Sequence, residues 1–68
     1  MNVVFSLRQA RNFRELSVEE AAEKIGVSVS TLYSWEQGNS YPNTKNIPKI
    51  LETYNMTIAD ISFTQKLG

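Results

Sequence analysis

The side chains that usually carry enzyme chemistry are scarce in this sequence. Its 68 residues include no His and no Cys, which removes the usual zinc ligands. A nucleophilic Ser would need activation by Lys, and neither residue type stands in a recognisable arrangement for it. Glu19, Glu20 and Glu23 have the spacing of a solvated helix face, and Gly26 and Gly38 are too isolated to cradle a phosphate. We predict no enzyme, no metal and no cofactor.

Short hydroxyl side chains between residues 28 and 40 are the more informative chemical feature. A helical wheel centred on Leu32 assigns to its buried side Ser28, Val29, Trp35 and Glu36, and to its outward side Ser30, Ser34 and Gln37, with Thr31 and Tyr33 on the flanks. A surface helix more often carries Glu, Lys and Gln, which have better helix propensity. Short hydroxyls suit a helix that approaches a groove wall and reaches base edges or phosphates. A solvated helix with a chance excess of Ser and Thr is the alternative.

Glu36 lies on the buried side of that wheel and therefore needs a partner. An unpaired carboxylate removed from water costs several kcal/mol. Arg11, one turn beyond Leu7 on the inner side of the first helix, is the favoured candidate, because a guanidinium can bind a carboxylate through two hydrogen bonds. Trp35 is expected to be part of the core or its rim.

The elements that must position these residues are all helical. Apolar residues recur at helical spacing without sustained alternation, which predicts an all-α fold. Val3, Leu7 and Ala10 share one face of a first helix that ends near Phe13. Ser17 and Glu20 form a capping box that opens a second helix from Val18 to Ile25, and Gly26 ends it.

Three further segments complete the predicted fold. Ser28 caps a third helix over 29–37 that stops at Gly38, and residues 39–43 form a loop. Thr44 can cap a fourth helix whose buried face comprises Ile47, Ile50, Leu51 and Tyr54, with Asn55 as a left-handed stop. Thr57 and Asp60 resemble another capping box, which predicts a short fifth helix that buries Ile58 and Ile61.

Length and charge limit the kind of molecule. A chain this short supports one core, which we expect over residues 1–62, with 63–68 as a C-terminal tail. The longest apolar run, residues 3–5, is far too short to span a bilayer, so a soluble, cytoplasmic protein is expected. The net charge is zero, and the arginines of the first 14 residues precede an acidic stretch over 15–25.

The residues from Val18 to Trp35 resemble the helix-turn-helix of the phage repressor and Cro family, also called xenobiotic-response-element-like. With Val18 as the first position of that motif, Ala22 takes its small inter-helix position and Gly26 its turn glycine. Its buried positions fall on Ala21, Ile25, Leu32 and Trp35. The resemblance extends to L7-R8-x-x-R11, to W35-E36-Q37-G38, to Pro42 and to the helical segment 47–61, and so covers nearly the whole chain.

This resemblance implies a compact five-helix domain of the lambda-repressor type, in which helices two and three form the helix-turn-helix. The third helix would enter the major groove while the second lies across the phosphate backbone. The family's base-reading positions map onto Val29, Ser30 and Ser34, flanked by Ser28, Thr31 and Tyr33. Its backbone-contacting positions map onto Val18, Asn39, Ser40 and Asn43, with Lys45 as a nearby cation. The family's buried ion pair maps onto Arg11 and Glu36.

The predicted function is sequence-specific binding of double-stranded DNA by a transcription regulator, a repressor of phage or mobile-element type. A homodimer would bind a palindromic operator whose half-sites lie about 34 Å apart. No membrane or small-molecule partner is expected. The family usually has Gln at the position of Val18, where it bonds a phosphate. That departure, together with the zero net charge, supports the alternative of a helix-turn-helix domain used as a protein-interaction module.

Overall fold

The computed structural model describes residues 4–63, and within that range four helices pack around one core. They are α1 (Leu7–Phe13), α2 (Val18–Ile25), α3 (Val29–Gln37) and α4 (Ile47–Tyr54). The predicted all-α class, the bounds of α2 and α3, and the end of α1 are confirmed. None of these helices is long and apolar enough to cross a membrane.

Serine side chains start the first three helices. Ser17 and Glu20 exchange both bonds of the predicted capping box, at 2.9 and 3.0 Å, and the Ser28 hydroxyl accepts the Thr31 amide at 3.1 Å. Ser6 and Gln9 make a second capping box in front of α1. The predicted first helix includes Val3, which lies outside the described residues, whereas this S-x-x-Q pattern defines the start of α1. Because Ser6 is extended, α1 begins at Leu7.

Left-handed residues follow all four helices. Gly26, Gly38 and Asn55 were expected there, and they have φ values of 93°, 81° and 53°. The fourth is Glu15, with φ 57°. No local pattern predicts this conformation, because a side chain with a Cβ is strained in this region. The Leu16 amide then donates to the Arg11 carbonyl at 3.1 Å, closing α1 with the bonds of a Schellman motif.

The predicted Thr44 cap and fifth helix are wrong. Residues 44–46 form a turn before α4, in which the Asn43 side chain accepts the Lys45 and Asn46 amides. Thr57 and Asp60 do bond as in a cap, yet they close a single turn that is not continued as a helix within the described residues. Ile58 is 59% exposed there. Ile61 is buried as expected, but it lies in a parallel bridge to Phe5 and not in a helix.

The core is small and draws on every helix. Its fully buried large side chains are Leu7, Leu32, Ile50 and Tyr54. The alanines Ala21 and Ala22 are also buried, and small side chains at those positions let α2 pack closely against its neighbours α3 and α4. The chain ends of the domain are tied together, because the Phe5 amide donates to the Asp60 carbonyl and the Ser62 amide to the Phe5 carbonyl.

Candidate nucleic-acid interface

A tight turn joins α2 to α3 and fixes the angle between them. Gly26 takes the left-handed conformation, and the Val27 amide donates to the Ala22 carbonyl at 3.0 Å. The next residue, Ser28, already caps α3. Only three residues separate the two helices, so the short turn restricts how α3 can lie relative to α2.

An ion pair attaches the other side of α3 to α1. Arg11 Nε donates to Glu36 Oε2 at 2.7 Å and Nη2 donates to Oε1 at 3.0 Å. The side chains of Arg11 and Glu36 are 14% and 2% exposed. Arg11 Nη1 also donates to the Leu16 carbonyl at 3.1 Å. The hydrogen bonds to Glu36 raise the pKa of Arg11 above its usual value. Both carboxylate oxygens are thus paired, as a buried charge requires.

Tyr54 is buried, and the charges of both Glu36 and Arg11 affect its pKa. Its hydroxyl has no hydrogen-bond partner within the described residues. Burial, supported by the nearby Glu36 carboxylate, raises the pKa of Tyr54 to about 12. The Tyr54 hydroxyl is therefore neutral at pH 7.

The outward side of α3 presents small polar groups and two larger side chains. Ser30 is exposed, while Val29 and Tyr33 are 40% and 54% exposed. Trp35 and Glu36 are buried as the wheel predicts. Ser28 and Val29 are exposed, contrary to the wheel, because the first turn of α3 extends past the core. The exposed valine adds two methyl groups to a hydroxyl surface.

Two of the predicted base-reading hydroxyls bond to each other at the start of α3. The Ser28 hydroxyl donates to Thr31 Oγ1 at 2.9 Å while it accepts the Thr31 amide. The Ser28 hydrogen is therefore used within the helix. Thr31 keeps its own hydroxyl hydrogen for an outside acceptor.

The loop after α3 continues the same surface. Ser34 Oγ lies 2.8 Å from Ser40 Oγ, and the Asn39 amide donates to the Ser34 carbonyl at 3.0 Å. Asn39 and Ser40 are exposed. The exposed Asn43 uses its side-chain oxygen within the loop, so its amino group is the part left for a ligand. Pro42 is buried and anchors the loop to the domain.

Positive charge near this surface is limited. Lys24 and Lys45 are exposed. Arg14 is not free for such a surface, because it donates to the carbonyls of Tyr54 and Asn55 at 2.6 and 3.1 Å and so caps α4. Val18 packs partly buried against the core, as an apolar residue at the start of α2 is expected to do.

Two capped helices joined by a glycine turn, with the second anchored on one side and exposed on the other, define a helix-turn-helix domain. A family model described as helix-turn-helix matches residues 7–61. The chain belongs to this helix-turn-helix family, of the Cro/C1 type.

Two relatives are named as transcription regulators. The chain is 31% identical over 61 residues to the HTH-type transcriptional activator BcrR of Enterococcus faecalis, a match that covers 90% of this chain and 30% of BcrR. It is 33% identical over 55 residues to the cryptic phage CTXphi transcriptional repressor RstR of Vibrio cholerae, covering 81% of this chain and 50% of RstR. The chain thus spans half or less of the length of these relatives. No solved structure matches it.

Proposed function

We propose that this chain binds double-stranded DNA as the sequence-reading domain of a transcription regulator, with α3 in the major groove and α2 across the phosphate backbone. Val29, Ser30 and Ser34 would meet base edges, flanked by Ser28, Thr31 and Tyr33. The exposed loop residues Asn39, Ser40, Asn43 and Lys45 would meet phosphates. Val18, at the backbone-contacting position of α2, would offer only its main-chain amide at the helix start.

The observation that carries this proposal is the contrast between the two sides of α3. The Glu36 carboxylate is 2.7 Å from Arg11 and almost fully buried, so the helix cannot roll about its axis without separating a buried pair. On the opposite side, Ser30 and Ser34 have side chains of only two heavy atoms each. A rigid helix with a thin polar side fits the groove, because backbone and hydroxyls can come close to base edges.

A repressor acting as a homodimer is the form of regulation we propose. RstR is named as a repressor of a cryptic phage, and its match covers most of this chain. Without long cationic or amide side chains at Val29 and Ser30, each domain lacks the bidentate base contacts worth about 1 to 3 kcal/mol. Two domains on a palindrome with half-sites about 34 Å apart would recover the affinity.

A protein-interaction module is the second candidate, and two observations favour it. Val18 is partly buried in place of a phosphate-binding side chain, and Arg14 is engaged by the carbonyl end of α4. These features reduce the number of side-chain donors free to bond phosphates, and phosphate contacts supply most of the non-specific affinity for DNA.

The test is to equilibrate the chain with a random duplex library at about 50 and 200 mM salt and to sequence the retained DNA. The proposal expects a palindrome with half-sites about 10 base pairs apart and steep weakening with salt. Retention of no sequence above background at either salt concentration would reject DNA reading and favour the interaction module.

Negative charge introduced on the outward side of α3 distinguishes a loss of DNA contact from a loss of folding. Ser30→Glu with Ser34→Glu should abolish retention through repulsion from phosphate while leaving the melting transition intact, because both sites are on the outward side. Ser30→Gln with Ser34→Gln is the matched control, with the same side-chain size and no charge. It should still bind DNA, with an altered sequence preference. Equal binding by the Glu and Gln variants would place the DNA elsewhere.

A further inference from the structure

The Ser34 and Ser40 hydroxyls, 2.8 Å apart, form the one hydrogen bond in the described chain that joins the side chain of a predicted base-reading residue to the side chain of a predicted phosphate-contacting residue. Each hydroxyl has one hydrogen to donate and lone pairs to accept. One of the two hydrogens is used between the oxygens. The pair therefore has a single hydrogen left for DNA, and either oxygen can hold it.

A phosphate would decide which oxygen keeps that hydrogen. Phosphate oxygens only accept hydrogen bonds, so a Ser40 hydroxyl in contact with phosphate must donate to it. Ser40 then accepts from Ser34, and the Ser34 hydrogen is consumed within the pair. The Ser34 oxygen is left with lone pairs only, directed away from Ser40.

We propose that Ser40 acts as a positioning residue that makes Ser34 an obligate hydrogen-bond acceptor in the major groove. An acceptor pairs with the exocyclic amino group of adenine (N6) or cytosine (N4) and repels guanine O6 and thymine O4. At the base that Ser34 faces, the operator would therefore carry adenine or cytosine on that strand. This inference rests on the proposed function and adds a chemical rule for one operator position.

The first helical turn offers an internal contrast. Ser28 donates to Thr31 Oγ1 while its oxygen accepts the Thr31 amide. That pair has a fixed direction and leaves Thr31 able to donate. The Ser34–Ser40 pair has no backbone amide to set its direction, so the contacting phosphate sets it. Two hydroxyl pairs on one surface would thus present opposite polarity to the DNA.

The test is the base preference of the wild type and of Ser40→Ala, measured by sequencing DNA retained from the random duplex library. One operator position in the wild type should favour adenine or cytosine over guanine and thymine by about three- to tenfold. Without the Ser40 hydroxyl, Ser34 regains its hydrogen and can donate to guanine or thymine. The preference at that position alone should fall to about twofold or less, with the other positions unchanged.

Ser40→Thr and Ser34→Ala are the controls. Ser40→Thr keeps the hydroxyl and should keep the wild-type preference, whereas Ser34→Ala should remove the preference at the same position. If Ser40→Ala weakens all sequences equally and leaves the base preference intact, Ser40 only supports the loop and the inference is wrong. If the wild type enriches no sequence, the proposed function itself fails, and the inference fails with it.

Discussion

Polar groups lie on two sides of α3, and the two sides differ in how much of their hydrogen-bonding capacity is used within the protein. On the inner side, both Glu36 oxygens are paired with Arg11 and almost no surface remains. On the outer side, the Ser30 hydroxyl is exposed and the Ser34 hydroxyl bonds only to another hydroxyl at the surface. The inner group is committed within the protein, while the outer groups retain bonding capacity.

The difference shows how a very small domain can present a precise surface. A buried carboxylate is weak evidence for net stability, since removing it from water offsets much of the attraction. Its bidentate geometry does fix one orientation of α3 relative to α1. The outward hydroxyls inherit that orientation. Four changes test whether the inner side of α3 stabilises the fold while the outer side remains free to bind, beginning with the largest expected effect.

Removing the inner carboxylate should be the most damaging change. Glu36→Ala leaves the Arg11 guanidinium buried beside Leu16 without its partner, which should cost about 3 to 5 kcal/mol. That equals the whole stability expected of a domain this size, roughly 3 to 5 kcal/mol. The chain should therefore lose its cooperative urea or thermal transition. Glu52→Ala, an exposed acid on α4, is the control and should stay within about 0.5 kcal/mol. A Glu36→Ala melt close to that of the wild type would show that the pair is dispensable.

High pH should destabilise the core beside the inner ion pair. The folded pKa of Tyr54 is raised to about 12, above the unfolded value near 10. The unfolded chain therefore ionises first, and stability that is fully present below about pH 10 is lost as pH rises toward 12. The loss attributable to this group is up to about 3 kcal/mol.

Tyr54→Phe isolates this contribution. The variant removes the titrating hydroxyl and also a buried group that has no partner in the described residues, so it should be stabilised by about 1 kcal/mol at pH 7. Urea titrations of both proteins at pH 8, 10 and 11.5 make the comparison. Parallel loss of stability in the two proteins would mean that Tyr54 is not the titrating group.

Ser28 belongs to both sides, because it caps α3 and lies among the predicted base readers. Ser28→Ala leaves the Thr31 amide without its acceptor and should cost about 1 kcal/mol. Ser30→Ala is the matched control in the first turn of the same helix. It removes no cap and should stay within about 0.5 kcal/mol. Thermal melts measure both variants. Equal effects from the two substitutions would mean that Ser28 contributes nothing as a cap.

The smallest expected effect is a gain at Glu15. Its left-handed φ of 57° costs a residue with a Cβ about 1 to 2 kcal/mol. Glu15→Gly removes this strain, but part of the gain is offset because glycine loses more conformational entropy on folding. A net stabilisation of about 0.5 to 1 kcal/mol is expected in urea titrations. Glu15→Ala keeps the strain and should match the wild type. If glycine and alanine behave alike, the left-handed turn that holds the Leu16 carbonyl near Arg11 carries no strain.

Much of the fold was predictable because helix ends are encoded locally. The residues that start or end a helix do so through bonds or backbone conformations within a few residues of themselves. The predicted roles are confirmed for the starts at Ser17 with Glu20 and at Ser28, and for the ends at Gly26, Gly38 and Asn55. Local signals also misled. Thr57 and Asp60 make cap-like bonds, but no helix follows, because pairing with Phe5 draws the chain at Ile61 into a bridge instead. Thr44 does not cap α4 as predicted, because the Asn43 side chain accepts the Lys45 and Asn46 amides in the turn before that helix.

The candidate surface was predictable in outline, since the spacing of Leu32, Trp35 and Glu36 fixes which side of α3 faces inward. The bonding state of its members was not. Whether the hydroxyl of Ser34 is available depends on where the loop brings Ser40. Arg14 offers the same lesson, because its partners, the carbonyls at the end of α4, lie about 40 residues further along the chain.

By itself, the sequence determined the helical class, most helix ends and the inward side of α3, because these depend on side-chain periodicity and on bonds between residues three or four apart. Tertiary structure decided which polar groups are consumed and which are left exposed. That outcome depends on contacts between distant segments, such as Arg11 with Glu36, Arg14 with α4 and Phe5 with Ile61. Hydrogen bonds act over about 3 Å, and only the folded chain brings those groups so close.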